Sequence, residues 1–313
     1  MILDALQSVL TIFIMVALGV VLTKKGWFDE NTGKLFSKIV TKVSLPAFMI
    51  VNLTSSFTKD VLTTSSLGIG LAFLNMIICY GIGHVLGGIL KVDKRKRGLF
   101  SVMFGLSNTI FIGLPVNTAL FGGDSTQFVL LYYITNTLFF WTLGVYGIKK
   151  DSGHVSANIF SLDSLKNIIT PPIITFIISV ILILLDIRLP KFFLSACSYV
   201  GSLTTPLSIF FMGITLTRLD KKSIRFNRET VAVVLGRFIL APLVMFFIIG
   251  GLGFPILMKK VFILEAAMPV MTQSAIVTEA YGGDYKEATV LCTLTTALSL
   301  IFIPIYMILF NYL

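Results

Sequence analysis

Ten runs of apolar residues, each about long enough to cross a bilayer, govern what this chain can fold into. They lie near 2–23, 34–55, 66–90, 99–121, 126–148, 167–187, 197–217, 230–251, 261–281 and 286–312. A helix rising 1.5 Å per residue needs about 20 such residues to span a ~30 Å hydrocarbon core. Only short polar connections separate the runs. The longest extends from Lys149 to Lys166, and Val155, Ile159 and Phe160 interrupt it. The 313 residues are 56% hydrophobic and 13% charged, and that charge is about half of what soluble domains carry. The pattern predicts an all-α integral membrane protein of ten spans. The first run carries Asp4 in place of a basic segment, and no clear A-x-A site follows it. It is expected to be a retained span, not a signal peptide.

The net charge of +10 sits in clusters between the runs. That distribution fits membrane-flanking charge and argues against a nucleic-acid partner. The odd-numbered connections hold Lys24, Lys25, Lys34 and Lys38; Lys91, Lys94, Arg95, Lys96 and Arg97; Lys149, Lys150 and Lys166; Arg218, Lys221, Lys222, Arg225 and Arg228; and Lys286. The even-numbered ones hold only Lys59, Arg188, Lys191, Lys259 and Lys260. Basic residues favour the cytoplasmic side. The expectation is a multi-pass protein of the inner (plasma) membrane with both termini outside. Lys34, Lys38 and Lys42 share one face of run two, where their stems can snorkel.

The two halves, 1–153 and 154–313, match at a constant offset of 160: Pro46 with Pro206, Asp60 with Asp220, and Gly122-Gly123-Asp124 with Gly282-Gly283-Asp284. Thr118/Thr278, Leu131/Leu291, Thr135/Thr295 and Leu138/Leu298 keep the register. Five spans per half would insert the second copy upside down. Inverted repeats of this kind underlie many secondary transporters, whose sites lie at interrupted helices near the midplane.

Runs four and nine are the candidate interruptions. Run four places Ser107, Asn108 and Thr109 centrally, followed by Gly113 and Pro115. Run nine reads Glu265-Ala-Ala-Met-Pro269-Val-Met-Thr272-Gln273, and Pro269 should free carbonyls there. In the repeat register Asn108 and Thr109 correspond to Met268 and Pro269. The alternative is that Pro and Gly merely kink these helices.

Ser107-Asn-Thr-Ile-Phe-Ile-Gly-Leu-Pro115, followed by Phe121-Gly122, resembles the span-four motif of the auxin efflux carrier family. Bacterial members of that family are generally described as malate or malonate permeases. Ala267-Met-Pro269 resembles its second-half counterpart, and Gly236-Arg237-Phe238 with Pro242 resembles its eighth span. The resemblance covers essentially the whole chain. It implies a scaffold of spans 1, 2, 6 and 7 and a transport bundle of spans 3–5 and 8–10. Spans 4 and 9 would cross at their breaks, with Asn108 and Pro269 at the crossover positions. Two departures are evident. Ser107 stands where the plant carriers have proline, and only 149–166 is available for a central loop that is long in many of them. Auxin specificity does not transfer.

Ionisable residues within spans default to functional candidates. Arg237 lies about 12 Å inside the cytoplasmic face and Glu265 about 8 Å from the opposite face, at 1.5 Å per residue. Direct pairing would require Arg237 to stretch. Arg237 is a candidate anchor for an anionic substrate, or it serves a buried carboxylate or the backbone. Glu265 is a candidate for coupling to H+ or Na+, or it snorkels outward. Asn52, Asn75, Asn136 and Tyr133 either line a path or tie helices together at ~0.6 kcal/mol per bond. Gly83 and Gly87 fit a small-residue helix contact.

No HExxH, GxSxG or Walker A pattern occurs, and Cys79, Cys197 and Cys292 offer neither disulfide nor metal spacing. An enzyme, a metal site and a cofactor are not expected. The expected function is secondary active transport of a small organic anion (a carboxylate) by alternating access around a midplane crossover. The alternatives are an anion-conducting channel or a transporter-derived membrane sensor. The expected substrate-binding residues are Ser107, Asn108, Thr109, Pro115, Asn136, Arg237, Pro269, Thr272 and Gln273, with Glu265 as the ion-coupling position. Expected partners are the anion and membrane lipid, with a homodimer as the candidate assembly.

Overall fold

The computed structural model describes residues 2–56, 59–153, 169–218, 227–283 and 285–310. Among these residues all regular structure is helical, and the single extended contact is an isolated bridge between Ser107 and Val270. Among the described residues six helices are long and apolar enough to cross a membrane, with three shorter apolar ones at Leu10–Lys24, Thr109–Phe121 and Pro171–Leu184.

In chain order the first half contains α1 (Ile2–Lys24), α2 (Glu30–Ile39), α3 (Leu45–Ser56), α4 (Lys59–Ile89), α5 (Arg97–Gly105), α6 (Leu114–Phe121), α7 (Thr126–Phe139) and α8 (Val145–Asp151). The second half contains α9 (Pro171–Leu184), α10 (Lys191–Gly201), α11 (Thr204–Thr217), α12 (Arg228–Leu235), α13 (Ala241–Ile249), α14 (Ile256–Ala266), α15 (Gln273–Ala280) and α16 (Tyr285–Leu309).

Proline explains much of the segmentation. Wide π-helical turns at Val40–Ser44, Thr109–Gly113 and Gly236–Leu240 each precede a proline, Pro46, Pro115 and Pro242, as second residue of the next α-segment. Proline has no N–H for the usual bond four residues back, so the turn before it widens and the helix continues. Pro115 itself does not interrupt run four, because its fixed φ suits a first helical turn. The Asn117 side-chain amide also donates to the Gly113 carbonyl at 2.9 Å. The break lies upstream, at Leu106–Asn108.

Backbone conformations recur at the 160-residue offset. Gly26 (φ 78°) and Asp186 (φ 54°) follow the ends of α1 and α9, and Gly122 (φ 76°) and Gly282 (φ 72°) those of α6 and α15. The bonds that close α1 and α9 also match: Trp27 N–H to Leu22 O at 3.0 Å, and Ile187 N–H to Leu182 O at 2.9 Å. These are left-handed helix stops in which a carbonyl finds a donor five residues on.

The chain groups into two units. One takes residues of Met1–Ile69, Ile110–Leu131 and Ile169–Thr217; the other takes Gly70–Thr109, Tyr132–Ile168 and Arg218–Leu313. Each draws on both sequence halves, and the chain passes from the second unit to the first between Thr109 and Ile110. In the first unit α1 packs on α11 where a Cβ on Gly213 would lie 2.8 Å from the Gly19 Cα. In the second, Gly98 meets the Gly147 backbone, and Gly83 and Gly87 rest on Phe104 and Phe100, a packing role. The Asp151 carboxylate accepts the Gly98 and Leu99 amides at 3.0 and 2.8 Å, which caps α5.

Polarity is arranged for lipid. Val85, Phe247 and Ile301 are 62%, 78% and 60% exposed, whereas Asn75, Asn136, Arg237 and Glu265 are fully buried. Apolar residues outside and bonded polar residues inside are what a bilayer solvent requires. Lys34, Lys38 and Lys42 are all exposed, on the shared face their spacing implied.

Candidate functional site

The second unit is organised around two breaks. α5 stops at Gly105 and α14 at Ala266, and short extended stretches follow both. These stretches run antiparallel, bridged at Ser107 and Val270, with the Asn108 N–H donating to the Pro269 carbonyl at 2.8 Å. α14 ends three residues before Pro269, and the acceptor that Asn108 occupies is Pro269's own carbonyl.

Side chains from neighbouring helices hold both strands. Asn136, on α7, donates through Nδ2 to the Ser107 carbonyl at 2.9 Å and accepts from the Ser107 N–H at 3.3 Å. Its side chain thereby imitates a paired strand. Thr295, on α16, accepts the Val270 N–H at 3.2 Å and donates to the Leu291 carbonyl at 2.7 Å. Across the crossover the Asn108 Nδ2 donates to Thr272 Oγ1 at 2.9 Å.

Arg237 secures the carbonyl ends of both half-helices. Its Nε donates to the Met268 carbonyl at 3.0 Å, and its Nη2 to the carbonyls of Ala266 and Met268 at 2.7 and 2.8 Å. Nη1 reaches the Phe104 carbonyl at 3.4 Å. Of the roles its position left open, the side chain serves the backbone of run nine. Each helix end carries roughly half a unit of negative charge, which a guanidinium offsets. Gly236 makes this approach feasible: a Cβ there would lie 2.5 Å from the Phe104 ring.

The expected site residues divide by location. Ser107, Asn108, Asn136, Arg237, Pro269 and Thr272 are joined by the bonds just described. Thr109 and Glu265 flank them in sequence and are buried; Glu265 is not exposed at all, so it does not snorkel outward. Thr272 and Gln273, at the start of α15, are partly exposed. Pro115 belongs to the first unit. The Ser107 hydroxyl is buried and has no hydrogen-bond partner among the described residues.

Thr295 was legible only as a repeat match to Thr135. The signal that marks it is that Thr135-Asn136 and Thr295-Thr296 stand in register and both face a break. Tyr132 carried no sequence signal. Asn75 donates to its hydroxyl at 3.3 Å, and its ring packs edge-on against Phe262, 5.4 Å between centroids.

Residues 4–307 match the family described as membrane transport protein. The chain is 27% identical over 312 residues to an uncharacterized transporter of Methanothermobacter thermautotrophicus, covering 96% of each. It is 25% identical over 308 residues to an uncharacterized transporter of Methanocaldococcus jannaschii, covering 96% of this chain and 97% of that one. The uncharacterized transporter YfdV of Escherichia coli is 22% identical over 247 residues, 75% of each.

Proposed function

Because the chain belongs to the membrane transport protein family, the family its span-four motif resembles, we propose that it is a secondary active transporter of a small organic anion. Transport proceeds by alternating access around the paired breaks. Ten spans form two inverted five-helix repeats in the inner membrane, with both termini outside. Support for the repeat comes from the matched helix stops, Gly26 with Asp186 and Gly122 with Gly282.

The observation that carries the anion reading is the placement of the Arg237 guanidinium on the carbonyls of Phe104, Ala266 and Met268. It neutralises the negative ends of α5 and α14. The helix that starts at Gln273 keeps its positive amino end, about half a charge, which favours a carboxylate. Asn108, Thr272 and the partly exposed Gln273 supply the polar contacts. Arg237 itself acts as a positioning residue. Glu265, one residue before the stapled Ala266, is the place for coupling to H+ or Na+.

A thermal-shift screen of purified protein against small carboxylates tests the reading. A substrate at 100 times its Kd stabilises by about 2.7 kcal/mol. The shift should vanish in Asn108→Ala, and a set of carboxylates that leaves the wild type unshifted would count against an anion.

A further inference from the structure

A groove of about 440 Å³ opens on the second unit between α13 and α16. Phe238, Ile263 and Phe302 line it from the inside, the two rings stacked at 4.4 Å and 3°. Leu243 and Ile305 line it too and are 48% and 44% exposed, so the groove opens outward between them. The Tyr306 hydroxyl is engaged, donating to the Phe238 carbonyl at 2.6 Å. The lining otherwise offers a ligand apolar side chains. A carboxylate would be desolvated there without compensation.

One end of the groove is cationic. Lys260 Nζ donates to the carbonyl of Phe310, a lining residue, at 2.7 Å. Lys259 Nζ donates to the carbonyl of Gly250, one turn past the lining residue Phe246, at 2.8 Å. Each ammonium has three donors, so both can also meet an anion. An apolar channel with two ammonium groups at one end matches a phospholipid: acyl chain in the groove, phosphate on the lysines. A second copy of the chain would need no such charge at the end of an apolar face.

We propose that this groove seats one acyl chain of an anionic membrane phospholipid whose phosphate contacts Lys259 and Lys260. The seat bears on the crossover, because Phe238 follows Arg237 within the wide turn Gly236–Leu240. A filled groove braces the turn that carries the guanidinium.

Native mass spectrometry of the full chain, with phosphatidylglycerol and phosphatidylcholine of matched chains, tests this. Wild type should retain phosphatidylglycerol preferentially. Lys259→Gln and Lys260→Gln keep a donor for the carbonyl but lose the charge, and each should cut that preference about fivefold. Leu243→Trp fills the groove and should lose the lipid, while Phe247→Trp, on the exposed side of the same helix, should keep it. Ile305→Trp repeats the test from the other wall should Leu243→Trp fold poorly. Wild-type retention in both groove variants, or equal retention of the two headgroups by wild type, would overturn the proposal. So would a dimer that the groove variants dissociate while the lipid stays bound.

Discussion

Asn108 and Pro269, 161 residues apart in sequence, meet backbone to backbone, the amide of one donating to the carbonyl of the other at 2.8 Å. With the bridge between Ser107 and Val270, this bond makes two helix breaks into one two-stranded element.

Arg237 is the first test of that element. Arg237→Ala removes the donors from the Met268, Ala266 and Phe104 carbonyls and should cost about 3–5 kcal/mol, as breaking buried charge contacts does. Arg237→Lys keeps the charge but lacks the planar fork that serves several carbonyls at once. Its thermal unfolding in detergent should fall between wild type and Arg237→Ala, with uptake lost in both.

Asn136 tests the strand imitation. Asn136→Leu removes the donor to Ser107 O and the acceptor for Ser107 N–H, at about 1–3 kcal/mol for the groups left bare. Asn136→Asp keeps only the acceptor. Substrate binding should weaken in the order wild type, Asp, Leu; titration calorimetry would show whether it does.

Gln273 should behave differently, since it is partly exposed. Gln273→Ala should leave unfolding within about 0.5 kcal/mol of wild type. Transport affinity should drop by about tenfold or more for a lost bond to a charged ligand. Equal losses of stability and affinity would make this residue structural.

Glu265→Gln addresses coupling. The variant keeps the size of a buried side chain and removes its titratable proton. Uptake driven by a pH or Na+ gradient should become gradient-independent while exchange at equal concentrations persists. A variant that still responds to both gradients would remove Glu265 from coupling.

What was legible in the sequence followed local rules. Apolar runs marked a helical membrane chain, Gly122 and Gly282 marked a repeat match that lies at two helix stops, and Pro269 marked a break. That Pro115 leaves its helix unbroken was not legible, because a proline's effect depends on the turn before it, here the wide turn at Thr109–Gly113. The partners of Arg237 were not legible, since they are carbonyls of distant residues, and any residue type supplies a carbonyl. Depth along separate helices bore only on a pairing with Glu265, whereas the guanidinium donates to the Ala266 carbonyl at 2.7 Å. The grouping of Ile110–Leu131 with α1 and α11 also left no trace in composition.

The most direct measurement is counterflow in proteoliposomes loaded with unlabelled carboxylate and diluted into labelled carboxylate. Wild type should show saturable, transient accumulation of label, and Asn108→Ala of equal thermal stability should show none. Label that merely equilibrates without overshoot, or an Asn108→Ala protein that accumulates it as wild type does, would contradict carriage at the crossover.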